Sequence, residues 1–180
     1  DDVYCVGSIY EICTAMKYIH EMKIIHRDLK MANILINLKN HVKICDFGIS
    51  KSIDITTLTH GIGTIAFMAP ELFDDDEKYD EKVDVYSFGV VMYFILTKGQ
   101  RPKFKGTGGY EKVEMPECIN ELSKSIIKSC WSNQPEKRPS FDDIIKLIVK
   151  NDFNLIDGIE NDESKATLLV HLGLNENKSS

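Results

Sequence analysis

Apolar residues recur every three or four positions near the start of the chain. This spacing is typical of a helix with one buried face. Ser8 is followed three residues later by Glu11, the pattern of a capping box at a helix N-terminus. The sequence therefore predicts an amphipathic helix over residues 8–22. Its buried face would consist of Ile9, Ile12, Cys13, Met16, Ile19 and Met22.

Two short apolar runs come next, at residues 34–36 and 42–44. Asn37 and Asn40 lie between them, and asparagine is common in turns because it tolerates left-handed backbone conformations. This arrangement predicts a small β-hairpin. Residues 46–71, in contrast, show little periodicity and contain many Thr, Gly and Ser residues. A loop of this length in a compact domain is usually functional or disordered.

The second half of the chain predicts further helices. Residues 83–96 are apolar nearly all round, which is typical of a central buried helix. Residues 119–131 and 141–149 are amphipathic, and a turn containing Pro135 and Pro139 separates them. Beyond Asn151 the chain is more polar and has one apolar patch, at residues 168–174. The predicted fold is mainly α-helical with a small β-hairpin.

Charge and composition narrow the function classes. The net charge of −6 argues against a general nucleic-acid or anionic membrane surface. No uninterrupted apolar run approaches the roughly 20 residues that span a bilayer, so no membrane segment is expected. The five cysteines show no C-x-x-C pair and are expected to be reduced and buried, which favours a cytosolic setting. The histidines show no ligand spacing, and we expect His20, His41, His60 and His171 to be incidental.

Three motifs in order carry the chemistry. The run His26-Arg27-Asp28-Leu29-Lys30-Met31-Ala32-Asn33 is followed by Asp46-Phe47-Gly48 and then by Ala69-Pro70-Glu71. This set resembles the H-R-D catalytic loop, the D-F-G element and the A-P-E element of eukaryotic protein kinases. Residues 63–71, 84–89 and 130–141 extend the resemblance, which covers about residues 8–149.

The resemblance implies a transferase that uses ATP and Mg²⁺ to phosphorylate protein hydroxyl groups. Asp28 would accept the proton of the attacking hydroxyl group, and Lys30 would place its charge on the transferred phosphate. Asn33 and Asp46 offer hard oxygen ligands to Mg²⁺. Leu35 would lie under the adenine ring.

The same resemblance assigns structural roles. His26 is expected to pack in the core beneath Phe47, and Asp84 to hold the backbone of the catalytic loop. Glu71 and Arg138 are expected to form a buried ion pair.

Other positions separate the kinase subclasses. Lys30 and the Gly63-Thr64 pair match the serine/threonine form of the family. Thr64 is assigned a structural role. Cys130-Trp131 and residues 138–141 are shared with tyrosine kinases. The mixture resembles the tyrosine-kinase-like group, whose members mostly phosphorylate serine or threonine.

Arg27, next to Asp28, suggests regulation by phosphorylation of the following loop. A phosphate there would pair with the Arg27 guanidinium and order the segment. The favoured acceptors are Thr56, Thr57 and Thr59. The alternative is that these three threonines are simple loop residues.

The sequence departs from the family in one large respect. The Gly-rich loop and the V-A-I-K lysine do not precede the catalytic loop. The resemblance therefore implies a C-lobe over residues 1–150 without the N-lobe, followed by an unassigned tail over residues 151–180. Its partners would be a protein substrate and the missing lobe or parent chain, and alone it would bind ATP weakly and show little activity. Two alternatives remain: an inactive pseudokinase-like scaffold and a helical adaptor unrelated to kinases.

Overall fold

The computed structural model describes residues 2–46, 67–73, 79–100, 102, 113, 115–157, 159 and 162–174. Within these ranges it is rich in helices and contains a two-stranded antiparallel sheet. The helices are α1 (Asp2–Glu21), α2 (Lys82–Leu96), α3 (Glu121–Cys130), α4 (Phe141–Lys150) and α5 (Asp162–His171). The strands are β1 (Ile34–Ile36) and β2 (Val42–Ile44).

Helix α1 begins six residues before its predicted start, so the prediction of a cap at Ser8 is wrong. Val3 and Val6 are buried and continue the apolar face toward the N-terminus. Ser8 is itself buried inside the helix, and Glu11 bonds to the hairpin instead of to the Ser8 backbone. Tertiary packing has overridden a local capping pattern at this position.

The predicted hairpin is confirmed. Strands β1 and β2 pair antiparallel, with Ile34 opposite Ile44 and Ile36 opposite Val42. The Asn37 side chain closes the turn, because its Oδ1 accepts hydrogen bonds from the backbone amides of Lys39 and His41. Asn40 has a φ of 62°, a left-handed conformation that asparagine tolerates better than most residues.

The core surrounds α2, which the sequence predicted correctly as a buried helix. Helices α1 and α3 pack against it, and α4 packs against α1. Gly89 of α2 permits a close approach to α3, since a Cβ atom there would lie 2.7 Å from the Trp131 Nε1 atom. Helix α4 begins with a capping box in which the Ser140 and Asp143 side chains each bond the other residue's backbone amide.

The chain after residue 151 contributes a helix of its own. Helix α5 packs against α1, and the side chain of Leu168 is fully buried. The apolar patch noted at residues 168–174 thus begins inside α5. No helix among the described residues has both the length and the apolar character needed to cross a membrane.

None of the five cysteines forms a disulfide, but their burial was predicted only in part. Cys13 and Cys130 are buried, whereas Cys118 is exposed and Cys5 and Cys45 are half-buried. Cys118 is exposed because it lies in the turn that precedes α3. Burial raises the pKa of the Cys130 thiol to about 12, so this thiol stays protonated and unreactive.

Candidate active site

The segment with the H-R-D motif lies between the end of α1 and the start of β1. Its backbone is bound to Asp84, a fully buried residue in the first turn of α2. The amides of His26 and Arg27 each donate to a different Asp84 carboxylate oxygen at 2.8 Å. Arg27 has a φ of 67°, an unfavourable conformation for a residue with a side chain. The two bonds to Asp84 hold the loop in that conformation.

A third group shares the same carboxylate. His20, at the end of α1, lies with its Nε2 atom 2.8 Å from Asp84 Oδ2. Because a carboxylate only accepts, Nε2 is the donor. The expectation that His20 is incidental is therefore wrong. Its position four residues after the buried Met16 placed it on the apolar face of α1, and this was the signal available in the sequence.

His26 is fully buried and bridges the loop to the end of β2. Its Nε2 atom lies 3.1 Å from the carbonyl oxygen of Cys45, and its Nδ1 atom accepts from the Asp28 amide at 3.3 Å. Both ring nitrogens are thus engaged with backbone groups. Phe47, the predicted neighbour of His26, lies outside the described residues.

The polar side chains of the loop form one cluster. The Lys30 ammonium lies 2.7 Å from Asp28 Oδ2. Asn33 Nδ2 donates to the carbonyl oxygen of Asp28 at 2.8 Å and to Asp28 Oδ2 at 3.0 Å. Asp28 is partly exposed, so solvent and a substrate can reach its carboxylate. A short 3₁₀ turn, Met31–Asn33, leads from this cluster directly into β1.

The hairpin brings Asn33 close to Cys45, the residue that precedes Asp46. The amide of Cys45 donates to the carbonyl oxygen of Asn33 at 2.9 Å, which extends the strand pairing by one residue. Asp46 follows at once, exposed and with a φ of 56°. Leu35 is 54% exposed on β1. Other predicted positions, Gly48, Thr56, Thr57, Thr59 and Thr64, lie outside the described residues.

Glu71 and Arg138 form a buried bidentate ion pair, with Arg138 Nη2 donating to Glu71 Oε2 at 2.9 Å. Arg138 also donates to the carbonyl oxygens of Ser132 and Lys82, so its charge is well compensated. Its guanidinium lies over the ring of Tyr86, 5.0 Å from the centroid. The pair joins the A-P-E segment to the start of α4.

Arg27 reaches a different environment. Its guanidinium lies 5.5 Å from the ring centroid of Tyr79. The Nε atom of Arg27 is buried and has no hydrogen-bond partner within the described part of the chain. A buried donor without a partner is costly, which makes this atom a candidate for binding an anion.

Comparisons of the sequence with known proteins give a family match. The sequence profile of the protein kinase domain family matches residues 4–149. The chain is 38% identical over 151 residues to a probable LIM domain-containing serine/threonine-protein kinase of Dictyostelium discoideum, an alignment that covers 78% of this chain and 23% of that protein.

Two further relatives come from a plant and a nematode. The serine/threonine-protein kinase CTR1 of Arabidopsis thaliana is 39% identical over 152 residues, covering 77% of this chain and 18% of that protein. The mitogen-activated protein kinase kinase kinase dlk-1 of Caenorhabditis elegans is 41% identical over 147 residues, covering 76% of this chain and 16% of that protein. The matched segment is less than a quarter of the length of each of these three relatives.

These findings confirm the resemblance stated from the motifs. The profile match contains the H-R-D, D-F-G and A-P-E segments, and the relatives are named as serine/threonine-protein kinases or as a mitogen-activated protein kinase kinase kinase. The predicted enzyme class, a protein kinase of the serine/threonine type, is confirmed at the level of the family. This chain belongs to the protein kinase domain family.

Proposed function

We propose that this chain supplies the catalytic loop of a kinase that transfers the γ-phosphate of ATP to serine or threonine hydroxyl groups of proteins. One observation carries the proposal: Asp28, Lys30 and Asn33 form a single cluster joined by contacts of 2.7–3.0 Å. A carboxylate, an ammonium and an amide are the groups that phosphoryl transfer requires, because catalysis rests on positioning and charge compensation.

The reaction assigns a role to each side chain. The substrate hydroxyl oxygen forms a bond to the γ-phosphorus, and the bond from that phosphorus to the β,γ-bridging oxygen of ATP breaks to give ADP. Asp28 accepts the hydroxyl proton and later releases it to solvent. Lys30, now paired with Asp28, compensates negative charge on the transferred phosphate. Asn33 orients Asp28 through its Nδ2 bonds.

The residues present fit a magnesium ion. Asn33 uses Nδ2 toward Asp28, which leaves its Oδ1 atom as the one offered to a metal, and the Asp46 carboxylate is exposed. Both are hard oxygen ligands of the kind that Mg²⁺ prefers. When bound, Mg²⁺ neutralises charge on the phosphates. The exposed Leu35 side chain supplies an apolar surface for the adenine ring.

We further propose that the chain acts as a C-lobe within a longer protein. Leu35, Ile36 and Leu38 of the hairpin are 54%, 61% and 105% exposed, as expected for a surface that another lobe would cover. Five unpaired cysteines fit a cytosolic setting. The alternative, a scaffold without catalysis, is disfavoured because Asp28, Lys30, Asn33 and Asp46 are all intact.

Phosphotransfer assays with labelled ATP and Mg²⁺ test the proposal, using this chain and the longer protein that contains it. Each is compared with its Asp28→Asn variant and with Asp157→Asn, a matched control at an exposed site outside the cluster. We expect the longer protein to transfer phosphate, Asp28→Asn to abolish transfer, and Asp157→Asn to leave it unchanged. A longer protein with a complete N-lobe that is as inert as its Asp28→Asn variant supports the scaffold instead.

We propose that Arg27 receives a phosphate from the loop after Asp46, with Thr56, Thr57 and Thr59 as the acceptors. The support is the Nε atom of Arg27, which is buried and has no hydrogen-bond partner among the described residues. Intact mass measurement of the active longer protein should show at least one phosphate in this loop, and Arg27→Ala should lower activity to the level of the dephosphorylated protein. A fully active protein with an unmodified loop contradicts this proposal.

A further inference from the structure

Three potential metal ligands meet on the face of the molecule where the C-terminal helix joins the hairpin. Glu11 lies on α1, His41 in the hairpin turn and His171 in the last turn of α5. One oxygen of Glu11 and one ring nitrogen of each histidine lie within 4.8 Å of one another. We propose that these three side chains bind a divalent metal cation and that this cation is Zn²⁺.

Two of the three ligands are already held in place by the backbone. Glu11 Oε2 accepts from the amide of Val42 at 2.7 Å, and Glu11 Oε1 lies 2.6 Å from His41 Nδ1. The backbone of His41 is fixed at both ends, because its amide donates to Asn37 Oδ1 and its carbonyl oxygen accepts from the Asn37 amide. A metal site gains affinity when its ligands are positioned before the ion arrives.

The third ligand comes from the segment beyond the family match. The ring of His171 stacks on that of His41, with centroids 4.6 Å apart and planes at 11°. Tyr4 packs edge-on against His171 at 5.2 Å, and Gly7 makes room for the ring, since a Cβ atom at Gly7 would lie 3.1 Å from His171 Cδ2. The ring is therefore confined beside Glu11 and His41.

His171 has an unexplained buried nitrogen. Its Nε2 atom is buried and makes no hydrogen bond with any described residue. Burying a polar nitrogen without a partner costs free energy, and such groups in folded proteins call for a ligand or ion. In the tautomer that carries its hydrogen on Nδ1, Nε2 has a lone pair that a bound cation would satisfy. This is an observation separate from the proximity of the three side chains.

The donor set selects the type of cation. Two imidazole nitrogens and one carboxylate oxygen are a set that Zn²⁺ takes in sites that keep a position open for water. Mg²⁺ and Ca²⁺ prefer oxygen ligands and are disfavoured by two histidines. Two ligand atoms that each lie about 2.0–2.2 Å from a tetrahedral zinc ion are roughly 3.3–3.6 Å apart. Binding therefore requires Glu11 Oε1 and His41 Nδ1, now 2.6 Å apart, to separate slightly.

Binding also moves one proton. His41 Nδ1 now shares its hydrogen with Glu11 Oε1, and a zinc bond through Nδ1 displaces that hydrogen. Neutral His41 then carries its hydrogen on Nε2, and any second proton passes to the buffer. The bound ion would join α1, the hairpin turn and α5, so it would fix α5 in its docked position. Zinc binding at these three residues does not require phosphotransfer activity.

Calorimetric titration of the metal-stripped full chain with Zn²⁺ tests the site, with Co²⁺ absorption reporting the ligand geometry. We expect one equivalent to bind and visible Co²⁺ bands typical of nitrogen and oxygen coordination. His41→Ala and His171→Ala should each weaken binding at least about tenfold. Cys118→Ser, which removes the one exposed thiol, should bind as the unaltered chain does.

The proposal is overturned if there is no saturable binding of one equivalent, or if both histidine variants bind at the affinity of the unaltered chain. His41 lies in a partly exposed turn, so His41→Ala decides the question if His171→Ala fails to fold. Far-ultraviolet circular dichroism in chelator shows which variants are folded. A loss of binding in Cys118→Ser with retention in His41→Ala would assign the metal to cysteine and also reject the site.

Discussion

Charged residues occur in two very different settings in this molecule. Behind the catalytic loop, Asp84, Glu71 and Arg138 are buried and each makes several hydrogen bonds. On the outer surface, Asp142 of α4 pairs with Lys17 and Lys146 at 2.6 Å while remaining partly exposed to water. The distances are similar, and the Lys17–Asp142 pair also joins distant segments, but of these two sets only the buried groups bind backbone groups in the ranges that the structure describes.

The difference teaches where charge is structurally important. A buried charge that loses its partner cannot recover its hydration, whereas an exposed ion pair trades one solvated contact for another. The buried set therefore fixes the shape of the catalytic loop, and the surface set adds little. Three predictions test this contrast, in order of decreasing effect.

Arg138→Leu should produce the largest loss, about 3–5 kcal/mol in the free energy of unfolding, because Glu71 would remain as an uncompensated buried charge. Urea denaturation followed by the fluorescence of Trp131, the single and fully buried tryptophan, measures it. The double variant Glu71→Leu with Arg138→Leu should recover part of the loss. If Arg138→Leu alone costs less than about 1 kcal/mol, the distinction between buried and exposed charges fails here.

Asp84→Asn should have an intermediate effect, about 1–3 kcal/mol, because one of the two loop amides loses its acceptor. An asparagine offers a single oxygen, whereas His26 and Arg27 now use both carboxylate oxygens. Hydrogen exchange should accelerate at whichever of these two amides loses its acceptor, and Asp157→Asn should leave it unaltered. Unchanged exchange in Asp84→Asn would show that the loop keeps its shape without this residue.

Asp142→Asn should have the smallest effect on stability, and this effect should be visible only at low pH. The Lys146 and Lys17 ammonium groups lower the pKa of Asp142 from 3.8 to about 2. Because the folded-state pKa is the lower one, the stabilisation is complete above pH 4 and is lost as the pH falls toward 2. Between pH 5 and pH 2.5 the urea midpoint of the unaltered chain should therefore fall more than that of Asp142→Asn. High salt should reduce this difference, and equal falls at low salt would contradict the assignment.

Elements with strong local patterns were predicted well from the sequence. Helix α2 is apolar all round, and the Asn37 and Asn40 turn defines the hairpin without help from distant residues. The start of α1 was missed because the Ser8 pattern competed with Val3 and Val6, whose burial depends on tertiary packing. Helix α5 was missed for a similar reason, since its stability depends on docking against α1.

In the candidate site, too, the residues of a local motif were predicted and the long-range contacts were not. Asp28, Lys30 and Asn33 lie within six residues of one another, so a motif identifies them together. The contacts of His20 with Asp84 and of Glu11 with His41 join residues that are far apart in the chain. No sequence spacing indicates such pairs, because only the packing of α1 against α2 and the hairpin brings them together.

The pairing of β1 with β2 limits how this segment can change during evolution. Ile34 faces Ile44, and the next pair joins Asn33 to Cys45, directly before Asp46. A slip of one residue reverses the faces of a strand. A single insertion within residues 37–41 that propagates into β2 would therefore move Asp46 away from Asn33. Descendant sequences should vary the composition of this turn freely but gain or lose residues in it only where a bulge absorbs the change.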